Sequence, residues 1–180
     1  MLSAIISTRE SERSLVPTLN ALFPGVMTGL LAEVIVADGG SRDATQEVAD
    51  IAGCRFMNSE APLGQRLKDA AAASKSAWLL FLTAGSVPDG AWVDAVQTFI
   101  AQGRIATAAA FRTDRRGLFG GFRALYGGRQ PQHGLLIARR TYDAIGGHSG
   151  GDTADTALLR KLGRRRIATL PATVTVRSYT

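Results

Sequence analysis

One cysteine, two histidines and no long apolar run set the first limits on this 180-residue chain. Cys54, standing alone, excludes an internal disulfide and any cysteine-based metal cluster. Its apolar setting after Gly53 points to a buried, inert thiol rather than a nucleophile. His133 and His148 lie in glycine-rich surroundings without the paired spacing of a zinc site. No apolar run approaches the roughly 20 residues that cross a bilayer. Met1–Ser7 reads as a short strand followed at once by Arg9, Glu10, Glu12 and Arg13, not as a signal peptide, so a cytoplasmic location is expected. Gly-Lys-Ser/Thr, the Walker phosphate loop, does not occur. The first strand is followed by Thr8-Arg9-Glu10-Ser11-Glu12 where a dinucleotide fingerprint needs glycines, which argues against a nicotinamide or flavin enzyme. A hydrolase with a Gly-x-Ser-x-Gly elbow is not expected either.

What is present is an ordinary globular composition, 46% hydrophobic and 20% charged, in a length that suits one domain over residues 1–180. The net charge of +6 and a pI near 10.2 raise the question of nucleic acid. Its sources are clustered: Arg112, Arg115, Arg116, Arg123 and Arg129 in one stretch, Arg160, Lys161, Arg164, Arg165 and Arg166 in another. There is no helix-turn-helix, zinc finger or aromatic-basic alternation, so nucleic acid is disfavoured as the partner. An anionic small ligand, or peripheral contact with an anionic membrane such as the inner membrane surface, accounts for the charge equally well.

Hydrophobic periodicity predicts strands at Leu2–Ser7, Val34–Ala37, Cys54–Asn58 and Ala77–Leu82, alternating with helices at Ser14–Phe23, Ala44–Ala52, Leu63–Lys75 and Gly90–Ala101. A βαβα alternation predicts a mainly parallel sheet covered by helices on both faces. The second half carries strands at Ile105–Phe111 and Gly134–Ala138, short helices at Thr141–Ile145 and Thr153–Leu162, and two closing strands at Arg166–Leu170 and Thr173–Arg177. Between them Arg112–Gln132 is rich in glycine and arginine, and reads as a loop or as a short helix around Phe119–Tyr126.

The most informative stretch is Glu33 to Thr45, Glu-Val-Ile-Val-Ala-Asp-Gly-Gly-Ser-Arg-Asp-Ala-Thr. A buried β-branched run ends on Asp38, glycines at 39 and 40 permit a sharp turn, and Asp43 with Gln46 resembles a capping pair opening a helix. Ligands of open α/β sheets bind beyond the carboxyl ends of strands, which is where Asp38 stands. The same pattern also serves a purely structural βα turn.

Several segments together resemble the family 2 glycosyltransferases, inverting enzymes on the nucleotide-diphospho-sugar transferase fold. They are Ser7-Thr8-Arg9-Glu10 after the opening strand, the Asp38-Gly-Gly-Ser41-Arg-Asp43 turn, Leu63-Gly-Gln-Arg66 opening a helix, and Trp-Leu-Leu-Phe-Leu ending at Leu82. His133 to Gly147 matches the family's acceptor-side strand and helix, and Ala154-Asp155 stands where the family carries Glu-Asp before a helix. The resemblance implies an α/β fold of Rossmann-like, nucleotide-diphospho-sugar transferase type, with a mixed, mostly parallel sheet. It implies a nucleoside-diphosphate sugar as donor and a hydroxyl acceptor. Thr8, Glu10, Asp38, Gly39, Ser41 and Arg66 would line the nucleotide pocket, and Asp155 would be the general base. Arg112, Arg115 and His133 fall on the acceptor or diphosphate side. As surface alternatives, Asp155 pairs with Arg160 or Lys161, and Arg66 is a solvated helix residue.

The departures are as informative. Where the family carries Asp-x-Asp, holding a divalent ion against the donor diphosphate, this chain reads Leu82-Thr83-Ala84-Gly85-Ser86. Magnesium and manganese require hard anionic oxygens, so no metal cofactor is expected to bind tightly. Either arginines such as Arg112, Arg115, Arg116 and Arg123 neutralise the leaving diphosphate, on a loop closing over the donor, or catalysis is lost and the fold retained for binding.

Overall fold

In a computed structural model, residues 1–102, 107–113, 134–151, 153–163 and 166–177 are described. The sequence expectations for Arg115, Arg116, Arg123, Arg129, His133, Arg164 and Arg165, and for a helix at 119–126, lie outside the described residues.

The apolar runs form strands at β1 (Leu2–Thr8), β2 (Leu31–Asp38), β3 (Arg55–Asn58), β4 (Trp78–Thr83), β5 (Ser86–Pro88), β6 (Ala108–Thr113), β7 (Leu135–Ala138) and β8 (Ile167–Val176). The helices are α1 (Glu12–Met27), α2 (Thr45–Ile51), α3 (Leu63–Ala73), α4 (Trp92–Ala101), α5 (Arg139–Ala144) and α6 (Ala154–Leu162). One eight-stranded sheet runs in the order β3-β2-β1-β4-β7-β6-β8-β5. The β1–β2, β1–β4, β2–β3 and β6–β8 pairs are parallel, and β4–β7, β6–β7 and β5–β8 are antiparallel. The expected α/β class, with a mixed and mostly parallel sheet, is what forms.

Period-two alternation splits the strand side chains between two cores. Ala4 and Ile6 of β1 and Leu80 and Leu82 of β4 join α1 (Leu15, Leu22) and α4 (Trp92, Val96) on one face. Ile5, Leu79 and Phe81 join α3 (Leu67, Ala70), α5 (Tyr142) and α6 (Leu158, Leu162) on the other. α1 and α4 pack so closely that a Cβ on Gly25 would stand 2.3 Å from the Trp92 ring. The Trp92 indole N–H donates to the Ala21 carbonyl at 2.9 Å.

Three expectations change. α1 is longer than its pattern suggests and contains both Pro17 and Pro24. Each proline removes a helical donor, a loss the buried face through Leu15, Thr18, Leu22 and Gly25 offsets. The two predicted closing strands are one, β8, because Leu170, Ala172 and Val174 continue into the core across the predicted break. β5, three residues long, was not anticipated; it exists by pairing with β8, 86 to 90 positions away, through Ser86–Val176 and Pro88–Val174. Among the described residues no helix is long and apolar enough to cross a membrane.

Candidate functional site

β1 is the strand from which the chain leaves to opposite sides, through α1 to β2 and, after β3, through α3 to β4. Since α1 and α3 cover opposite faces, the carboxyl end of β1 is the topological switch point where α/β sheets bind ligands. Thr8 is in register with Asp38 on one side, and Ser7 with Thr83 on the other.

Asp38 ends β2 fully buried. Its Oδ1 accepts from the hydroxyls of Thr8 (2.7 Å) and Ser41 (2.6 Å), and its Oδ2 from the amides of Gly40 (2.9 Å) and Ser41 (2.7 Å). Burial alone would push this carboxyl up. The bonds from the Ser41 hydroxyl and amide, Thr8 and Gly40 outweigh it and hold the group below the ordinary carboxylate value. Four bonds match the lone-pair capacity of a carboxylate, so Asp38 organises the turn at the carboxyl ends of β1 and β2.

Glu10, next on the β1–α1 loop, has a left-handed φ of 49°, sparsely populated for a residue with a side chain. Its amide donates to Ser41 Oγ at 2.8 Å, and its carboxylate accepts from the Arg42 amide at 2.9 Å. The Glu12 amide donates to Asp43 Oδ2 at 3.0 Å, and the Ala44 amide returns a bond to Glu12 Oε2 at 3.2 Å. The expected Asp43–Gln46 capping pair is therefore replaced. α2 begins at Thr45, Asp43 Oδ1 accepts the Thr45 amide at 3.0 Å, and its second oxygen reaches the start of α1. The two βα loops are laced into one surface.

Arg66, in the first turn of α3, completes it. Its guanidinium donates to the carbonyls of Ala37 (2.8 Å) and Thr8 (3.3 Å) at the ends of β2 and β1, and Nε donates to Ala61 (3.1 Å). It is a partly buried bridge between strand ends, not a solvated helix residue. Thr8, Glu10, Asp38, Gly39, Ser41 and Arg66, far apart in sequence, thus converge. Arg112 does not join them: it is exposed on β6, in register with Thr173.

Gly64, buried on α3, links this cluster to α6. A Cβ there would stand 1.9 Å from the Ser149 carbonyl and 2.9 Å from Ala154 Cβ, so α3 presses directly on the start of α6. Asp155, in the first turn of α6, pairs with neither Arg160 nor Lys161 among the described contacts. His148 Nε2 lies 3.2 Å from Asp155 Oδ1, and Lys161 donates instead to the Gly147 carbonyl at 3.1 Å. His148 is buried, and its Nδ1 lies 2.9 Å from the Tyr142 hydroxyl. Sequence reading set His148 aside because it has no zinc-type partner. Its position beside Gly146 and Gly147, seven residues before Asp155, was the available signal. The pentapeptide Gly147-His148-Ser149-Gly150-Gly151 does fit Gly-x-Ser-x-Gly, against expectation. It lies between α5 and α6, not on the strand-to-helix turn that makes a nucleophile elbow.

Arg139, which stands outside both basic clusters, has a structural role. Opening α5, it donates to the carbonyls of Ala71 (2.9 Å), Ser74 (3.0 Å) and Ser76 (2.8 Å), satisfying the end of α3. A shallow crevice at the opposite, amino ends of the strands is lined by Met1, Ala32, Glu33 and Lys75–Ala77. Its Glu33 carboxylate is already held by Ser3 Oγ at 2.6 Å and the Lys75 amide at 2.9 Å.

At the end of β4 the oxygens are neutral: Thr83, and a Ser86 hydroxyl that is buried with no hydrogen-bond partner among the described residues. Gly85 between them has φ 91°, and a Cβ there would lie 2.4 Å from the Arg177 carbonyl. Gly85 and Arg177 are also joined by a main-chain bond of 2.9 Å. Among the described residues no three His, Cys, Asp or Glu side chains come close enough to hold a metal ion. Among the described residues the donors at the end of β4 are neutral, whereas divalent cations favour anionic oxygens, and the backbone crowds any side chain at position 85.

Among curated proteins none matches the sequence. Among solved structures, glucosyl-3-phosphoglycerate synthase from Mycobacterium tuberculosis superposes over the whole chain. In its complex with phosphoglyceric acid the TM-score is 0.80 at 19% identity, covering 72% of that chain. A second structure of that synthase gives 0.77 at 20%, again over 72%. The complex with Mn2+, UDP-glucose and phosphoglyceric acid gives 0.77 at 18%, over 71%. These likenesses establish the nucleotide-diphospho-sugar transferase fold. The sequence itself matches glycosyl transferase family 2 over residues 3–161, so the chain belongs to that family.

Proposed function

We propose that this protein is an inverting glycosyltransferase that moves a sugar from a nucleoside-diphosphate donor to a hydroxyl acceptor without a divalent metal. The observation that carries the reading is the chain of contacts from the Asp38 turn, through Arg66 and Gly64 of α3, to the start of α6 that bears Asp155. The synthase structures that share the fold hold UDP-glucose and phosphoglyceric acid, which favours a uridine-linked donor.

In this reading the strand ends hold the nucleotide and Asp155 removes the acceptor proton. The acceptor oxygen bonds the anomeric carbon as the carbon–oxygen bond to the diphosphate breaks, and the diphosphate leaves with that electron pair. Arginine charge replaces the metal in stabilising the leaving group. Arg112, Arg115 and Arg116 with His133 are assigned to the acceptor and diphosphate side. Arg177, exposed and tied through its main chain to Gly85 just after β4, is a further candidate for that charge. Any contact with an anionic membrane would use the same basic surface.

A second reading, a nucleotide-sugar-binding protein without turnover, is favoured by the neutral end of β4. One experiment separates the two. UDP-sugar consumption is measured for the wild type and Asp155→Ala, each with and without chelator. Transfer expected of the enzyme persists in chelator and falls about 10²- to 10⁴-fold in Asp155→Ala. Nucleotide binding without turnover would establish the binder, and turnover abolished by chelator would overturn metal independence.

A further inference from the structure

Asp155 does not stand alone. His148, in the loop between α5 and α6, sits edge-on to Phe81 of β4 (centroids 4.7 Å apart, planes at 77°) and beside Tyr142 of α5 (5.5 Å). Phe81 and Tyr142 stack on each other at 5.3 Å. The imidazole is thus clamped between a central strand and a helix, with Nδ1 2.9 Å from Tyr142 Oη and Nε2 3.2 Å from Asp155 Oδ1.

One arrangement of the protons fits these contacts. The His148 main-chain N–H donates to Tyr142 Oη at 3.2 Å, so that oxygen is an acceptor there. Burial pushes the Tyr142 hydroxyl up to about 12, so it keeps its own proton at neutral pH. The acceptor beside that proton is Nδ1. With Nδ1 accepting from Tyr142, Nε2 carries the ring hydrogen, aimed at the Asp155 oxygen that can accept it. With Nε2 already protonated, the ring cannot take a proton from Asp155, so it does not relay one. It holds Oδ1. Asp155 keeps 17% side-chain exposure, and Oδ2 is left for the acceptor hydroxyl.

We propose that His148, held by Tyr142 with a hydrogen on Nε2, is a positioning residue that orients the Asp155 carboxylate toward the acceptor. The proposal rests on the reading of Asp155 as base. A phenylalanine at 148 would fill the same aromatic cluster but offer no donor, so packing and orientation can be separated.

The test uses the full chain with His148→Phe and His148→Gln, the second keeping an N–H near the position of Nε2. His148→Phe is expected to lower kcat about 10- to 100-fold with donor KM and UDP affinity unchanged, and His148→Gln to recover most of the loss. The wild-type imidazole nitrogens, read by 15N NMR at pH 7.5, should show a protonated Nε2 and a bare Nδ1. Equal kcat in His148→Phe and wild type, failure of His148→Gln to recover activity, or an Nδ1–H tautomer would each overturn the proposal. If His148→Phe does not fold, His148→Gln and the wild-type spectrum decide. If the wild type transfers no sugar, the proposed function fails, and the spectrum alone decides the proton assignment.

Discussion

The guanidinium of Arg66 occupies the space a side chain at Gly39 would fill: a Cβ there would stand 3.0 Å from Cζ and from both terminal nitrogens. Gly39→Ala should therefore push the arginine off the carbonyls of Thr8 and Ala37, both reached by Nη1, and Arg66→Lys should lose the Nε bond to Ala61 that fixes the guanidinium there. Each is expected to weaken UDP binding several-fold in calorimetry while costing only about 1 kcal/mol of stability. Unchanged UDP affinity in both variants would remove Arg66 from the nucleotide site.

Asp38→Asn keeps one acceptor oxygen and sets an amide NH2 against groups that already donate. Because the site is buried, the expected loss is about 2–4 kcal/mol in urea unfolding. The folded carboxyl is held below its unfolded value near 4, so its contribution is full above that value and is lost as pH falls through the folded one. Wild type should lose stability below about pH 4, and Asp38→Asn should show a shallower acid slope. The slope should flatten rather than vanish, since Asp43, Asp89 and Glu33 are also held low. Identical slopes would show that Asp38 does not carry this linkage.

Gly64→Ala places a methyl 1.9 Å from the Ser149 carbonyl, too close to be met without moving α3 or the start of α6. A loss of about 1–3 kcal/mol is expected, together with reduced turnover as Asp155 shifts. A variant with wild-type Tm and activity would mean that α3 does not set the place of α6.

Gly85→Asp restores a carboxylate at the end of β4 on paper only. Its Cβ would meet the Arg177 carbonyl at 2.4 Å, and the residue would need φ near 91°. The variant should melt lower than wild type and gain no magnesium dependence in UDP binding. A magnesium-dependent rise in UDP affinity would show that β8 yields easily and that the metal site is latent.

Much of the fold was legible because its signals are local. Val34-Ile35-Val36 reads as a buried strand, and Gly39-Gly40 marks the turn after it. Cys54 likewise sits partly buried, with burial and the nearby Asp50 pushing its thiol up to about 11. The convergence of Thr8, Asp38, Ser41 and Arg66 could be anticipated only through a family pattern, since their spacing in sequence carries no distance. His148 was missed because its partners, Tyr142 six residues before it and Asp155 seven after, follow no recognised motif spacing and meet it only in the folded chain.

The sequence by itself determined the alternation of strands and helices, the acidic βα turn and the absence of carboxylates from Leu82 to Ser86, because hydrophobic period and turn chemistry act over a few residues. Tertiary structure decided what those segments are used for. It buried Asp38 under four hydrogen bonds, drew β8 against Gly85 and set His148 behind Asp155. Each of these depends on which faces of a twisted sheet are covered by which helix, a choice made by burial across tens of residues.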